Sequence, residues 1–195
     1  MKRLRTFSWL WIACIALIAG CSGTGELIKQ RSVSLRPDVY REVQDKTPIP
    51  AGNADLGISF SVKTHMSNFH VLENGTKGTP DYVVVINIDG QATTLKGVIS
   101  EENTLDERPR TPETGNGIRY RFRKDLRLAV GNHRVFFAVP EDEVAVEVEI
   151  RLEDGTRNEL VLEPVYATGK RFGKRIPNFY SHLSGVRMLM NGKPL

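Results

Sequence analysis

Cysteine is nearly absent from this 195-residue chain, since Cys14 and Cys21 are the only two. Both lie in the first 21 residues, so the rest carries no disulfide, thiolate nucleophile or cysteine metal site and must be stabilised by packing. Tryptophan is confined to Trp9 and Trp11. Acids are missing before Glu26 and again after Glu163. The chain has no Gly-x-Ser-x-Gly elbow, no His-Glu-x-x-His, no Ser-x-x-Lys and no phosphate-cradling glycine loop. Those absences remove the common hydrolase, zinc-protease and nucleotide signatures. The apolar or small-residue stretch from Phe7 to Gly20 is fourteen residues. As a helix it would span about 21 Å against a hydrocarbon core of about 30 Å.

What is present begins with an export leader. Lys2, Arg3 and Arg5 precede the apolar stretch, which exits on small residues, as in a secretory signal peptide over residues 1–20. Lys2-Arg3 is followed by Leu4, so the twin-arginine pattern is absent. Ile18-Ala19-Gly20-Cys21 resembles the lipobox of bacterial lipoproteins. The resemblance implies a diacylglycerol (palmitate-type) anchor on the Cys21 thiol and cleavage before it. Membrane attachment through that lipid then follows, since two or three chains make a stable anchor. Ser22 stands where Asp would favour inner-membrane retention, so the expected address is the outer membrane facing the periplasm, with the inner membrane as the alternative. Loss of the leader removes three bases and no acid, leaving 24 Lys and Arg against 23 Asp and Glu. A formal charge of about +1 gives no support to nucleic-acid binding.

Downstream, residues 21–54 read as a lipidated tether, with Pro37, Pro48, Pro50 and Gly52 opposing a long helix. From 55 onward the period becomes two. Leu56, Ile58, Phe60 and Val62 alternate with small or polar residues, as do Ile118, Tyr120 and Phe122 with Arg119, Arg121 and Arg123. Asp89-Gly90 and Asp154-Gly155 are hairpin signals, and Gly131-Asn132 turns the chain into another apolar run. About seven strands with short turns predict an all-β fold, an antiparallel β-sandwich, immunoglobulin-like in the broad sense, over residues 55–166. Residues 98–117 are polar and read as a long exposed loop. Gly131, His133 and Val135 match a turn-strand step of PEGA domains, a resemblance that implies sandwich architecture only.

Functional candidates lie mostly in the basic C-terminal segment, residues 167–195, with a possible edge strand. Lys170, Arg171, Lys174 and Arg175 are interleaved with Phe172, Phe179 and Tyr180, a composition suited to an anionic surface or partner. The competing expectation pins this segment to Glu141, Asp142 and Glu143. The arginine stripe at 119, 121 and 123 is expected to pair with Glu147 and Glu149 on a neighbouring strand. His65 and His70 are spaced poorly for a shared metal, so neither a metal nor a cofactor is expected. The resulting expectation is a non-enzymatic envelope protein that binds another envelope protein or a cell-wall polymer. The alternatives are a carbohydrate- or peptidoglycan-binding module using Tyr82, Phe179 and Tyr180, or a hydrolase with a loop-built carboxylate site.

Overall fold

The alternation of Leu56, Ile58, Phe60 and Val62 becomes the inward face of a long central strand, and all four side chains are buried. The computed structural model describes residues 23–43, 47–66, 75–104, 111–171 and 173–195. In chain order these hold α1 (Thr24–Arg31), β1 (Tyr40–Glu42), β2 (Asn53–Thr64), β3 (Val83–Ile88), β4 (Gln91–Lys96), β5 (Val98–Thr104) and β6 (Gly115–Ala129). Then follow β7 (Gly131–Val139), a 3-10 turn (Pro140–Asp142), β8 (Val144–Leu152), β9 (Arg157–Tyr166), β10 (Thr168–Arg171), β11 (Lys174–Pro177), β12 (Leu183–Met190) and β13 (Lys193–Pro194).

The fold is all-β and sandwich-like. One sheet runs β1-β6-β2-β9-β12-β13, with β5 also on β6; the other runs β4-β3-β7-β8. Aromatic rings join the two layers: Phe60 of β2 meets Phe137 of β7 edge-on at 5.0 Å between centroids, and Tyr82 lies 4.8 Å from Tyr120. Such contacts add to the burial of the rings themselves. Asp89-Gly90 closes β3 on β4, both residues taking positive φ (47° and 97°) as a type I′ turn requires.

Asp154-Gly155 does not close a hairpin. β8 pairs with β7, whereas β9 pairs in parallel with β2 and antiparallel with β12. The turn is pulled across to the other sheet by Gly155 N–H donating to Asn53 O and Gly52 N–H donating to Asp154. A turn motif fixes local backbone geometry, and tertiary hydrogen bonds choose which strand receives the exit.

Residues 98–104 likewise form strand β5, in register with β6 from Val98↔Arg121 to Thr104↔Gly115, instead of an exposed loop. Residues 105–110 lie outside the described set. β5 is polar because it is an outer strand with little burial, so its apolar signal is weak. Segment 23–43 is also docked. Ile28 of α1 is buried against Val85, Phe136 and Ala138 on the outer face of the smaller sheet. Asn87 then donates to Arg31 O at 2.7 Å, Leu35 N–H reaches Gly90 O, and the Gln91 carboxamide clasps Val39 and Tyr40 at the entry to β1. Only one apolar side chain of α1 is fully buried, so the sequence carries no helical stripe to read. The strand β12 hydrogen-bonds along β9, which extends the sandwich past residue 166 to the Asn191-Gly192 turn.

Candidate functional site: a basic ribbon above a buried charge cluster

The two sheets give the three arginines of the β6 stripe a different set of neighbours from those expected. Arg119, Arg121 and Arg123 lie in the larger sheet, and Glu147 and Glu149 lie on β8 of the smaller one, so they do not face each other. Arg119 bonds to Glu102 and Glu113, Arg121 to Glu102, and Arg123 to Asp125 and Glu159, at 2.6–3.1 Å. Glu147 instead pairs with Arg31 at 3.1 Å. Burial alone would lower the Arg119 guanidinium, but its hydrogen bonds with Glu113 and Glu102 more than offset that and raise it. The same bonds from Arg119 hold the Glu102 carboxyl below the usual carboxylate range.

Beneath this stripe lies a residue that periodicity sends to solvent. Lys63 shares the parity of Ser59 and Ser61 on β2, yet its side chain is wholly buried. Its Nζ donates to Thr104 Oγ1 (2.9 Å), Glu113 O (3.1 Å) and Gly115 O (2.6 Å), with Glu102 at 3.7 Å. The ring of Phe179 covers it at 5.0 Å. Burial pushes the ammonium down, and Glu102 opposes that. Tyr166, raised by burial and then by the Glu113 carboxylate beside it, accepts from Lys63 N–H and donates to Glu113 at 2.6 Å. Every hydrogen of the Lys63 ammonium is therefore used within the fold. This cluster fastens β5 and residues 111–115 over the end of β2.

The C-terminal cations sit just beyond it on a separate two-stranded ribbon. β10 and β11 pair only with each other, in the register Lys170↔Arg175 and Arg171↔Lys174. Directly opposed residues share one face of a ribbon, so Lys170 and Arg175 bring like charges together, an arrangement that is unfavourable in isolation. Lys170, Lys174 and Arg175 are exposed. Among the described residues no carboxylate lies within ion-pair distance of any of the three. The Arg171 side chain and Phe172 fall outside the described set.

The ribbon is rooted firmly. Ala167 N–H donates to His182 O and Asn178 N–H to Ala167 O, while the buried Asn178 amide donates to Ile176 O at 2.8 Å. Gly169 lies close against Ser181 Oγ and the Asn178 amide, so the return segment packs tightly beneath β10. Asp142 takes the Leu183 N–H at 3.1 Å, the Tyr82 hydroxyl at 2.8 Å and Lys77 Nζ at 2.7 Å. Thus one of the three acids expected to pin the segment does contact it, through backbone near its base and not through its cations.

The remaining candidates divide clearly. Phe179 is buried, Tyr180 is half-buried with its hydroxyl donating to Asn116 O, and Tyr82 is fully buried. Phe179 and Tyr82 therefore do not belong to an exposed aromatic platform; they are core residues, covered respectively by the return from the ribbon and by the sheet interface. Cys21 and His70 lie outside the described residues, and His65 is buried with Nδ1 3.0 Å from Met66 O. Gly131, His133 and Val135 open β7, where His133 Nδ1 lies 2.7 Å from Asp89. No helix among the described residues is long and apolar enough to cross a membrane. Comparison with family models, curated proteins and solved structures gives no match to this chain.

Proposed function

We propose that this chain is a bacterial envelope lipoprotein, tethered by lipid on Cys21, whose β-sandwich has a non-enzymatic binding role. The address follows from the leader and from Ile18-Ala19-Gly20-Cys21. The binding role is supported by one observation above others: three exposed cations stand on a rooted ribbon with no acid among the described residues to neutralise them. A charge pair left opposed within a strand ladder is stabilised by an anionic partner and by nothing else on its own ribbon. The non-enzymatic reading rests on the sequence, which carries none of the common hydrolase, zinc-protease or nucleotide signatures. The expected partner is anionic and belongs to the envelope.

The anchor is tested by metabolic labelling with a palmitate analogue. Label enters the wild-type protein and is abolished in C21S; undiminished labelling of C21S overturns the assignment.

A further inference from the structure

We infer that the β10–β11 ribbon and the lipid anchor leave the sandwich from the same end, and that the ribbon lies on the anionic phospholipid surface holding the anchor. The inference depends on the Cys21 anchor proposed above. It commits the ribbon to one occupant, a lipid surface.

Strand register defines the two ends. The end carrying Thr64 of β2 also carries Ile118 of β6, and Leu183 of β12 opposite Tyr166 of β9. The ribbon begins two residues after Tyr166, at Thr168. In the smaller sheet, Val139 and Val144 face each other beside the 3-10 turn, and Asp142 in that turn binds Leu183 N–H. The 3-10 turn and the ribbon base therefore share an end. α1 runs along the outer face with Arg31 near Asn87 and Glu147, and with Gly25 beside Glu143. Its first turn accordingly points to that same end. Cys21 precedes Thr24 by three residues, so its Cα is within about 11 Å of the helix start even when fully extended. A domain whose first helix starts so near the lipid attachment point cannot swing far from the bilayer, and its orientation is limited from the outset.

Charge at this end favours the ribbon as the contact. Four of the acids there are engaged: Asp142 by Lys77, Tyr82 and Leu183 N–H, Glu141 by the Thr76 hydroxyl, and Glu102 and Glu113 by Arg119. Glu26 and Glu143 remain exposed at the helix start, as does Glu101 opposite Ile118, but all three lie on the body of the sandwich and not on the ribbon. Lys170, Lys174 and Arg175 extend from the same end on a ribbon that leaves both sheets. Lipid plus a polybasic patch is the two-signal arrangement that makes membrane contact stable. Each base near an anionic surface shifts the contact equilibrium by about fivefold.

The full lipidated protein, reconstituted in vesicles, tests this directly. Once the leader is removed and Cys21 is acylated no other thiol remains, so K174C and K193C can each carry one environment-sensitive fluorophore. K193C marks the opposite end, beside the Asn191-Gly192 turn. On phosphatidylglycerol vesicles the K174C probe is expected to shift to the blue, and on pure phosphatidylcholine it stays at its water value. K193C stays at its water value on both. Adding K170E and R175E to the K174C protein moves the contact equilibrium by about 25-fold or more and returns the probe toward water. Intact mass on the same sample separates the two claims. Absence of the diacylglycerol mass sinks the anchor. Lipid present with a water-exposed K174C, a blue-shifted K193C, or a K174C shift equal on both lipids overturns the orientation and charge-driven contact.

Discussion

Two basic regions of this molecule look alike in sequence and differ completely in setting. Arg119, Arg121 and Arg123 alternate along β6; Glu102, Glu113 and Glu159 come to them from three other parts of the chain, and Asp125 from β6 itself. Lys170, Lys174 and Arg175 cluster just as densely, but no strand brings them an acid among the described residues. A row of cations is therefore uninformative by itself. What distinguishes a solvent-facing structural stripe from a contact surface is whether topology returns carboxylates to it. The buried Lys63 extends the first region inward, where the pairing holds β5 and residues 111–115 in place.

Breaking the paired region should have the larger effects. K63A is expected to cost about 3–5 kcal/mol, because it removes the buried ammonium that donates to Thr104, Glu113 O and Gly115 O and leaves the single Thr104 hydroxyl to serve both carbonyls. Urea unfolding checks this, and K63M, which keeps the packing, should lose less. A K63A protein as stable as wild type would mean that the cluster is not what holds the edge. R119A should cost about 2–3 kcal/mol by removing charged hydrogen bonds to two carboxylates. It also carries a pH signature. Glu102 is held low chiefly by its hydrogen bonds from Arg119, so its share of stability is complete above the unfolded value near about pH 4.3. That share is lost as pH falls through the depressed folded value. The gap between wild type and R119A should therefore narrow on acidification, as read from unfolding midpoints across pH. The smallest effect belongs to the ribbon: K170E/K174E should leave unfolding free energy within about 0.5 kcal/mol of wild type. A large loss there would place the ribbon in the first category and remove the basis for a contact surface.

The strands that periodicity identified are those with one buried face and one wet face. β2 and β6 announce themselves because Phe60, Tyr120 and Phe122 meet a core that excludes their neighbours in sequence. β5 was hidden because an outer strand buries little, and α1 because Ile28 alone is fully buried. The exit from Asp154-Gly155 was hidden for another reason. Its turn chemistry is correct, but the choice between β8 and β2 as neighbour is made by Asn53 and Gly52, a hundred residues earlier. At the site, the cation cluster at 170–175 was readable from the lack of acids after Glu163. The burial of Phe179 and Lys63 was not, since each covers the other and neither pattern contains that contact.

The parallel ladder between β2 and β9 joins residues such as Asp55 and Arg157 that are far apart along the chain. Non-local pairing of this kind is slow to form, and until it forms the inner edge of β2 is bare. An emerging polypeptide therefore displays the apolar face of β2, Leu56 through Val62, throughout synthesis of the intervening hundred residues. Protection of that edge by a chaperone during passage to its destination, or truncation before Arg157, decides between a finished sandwich and an aggregate nucleated on β2.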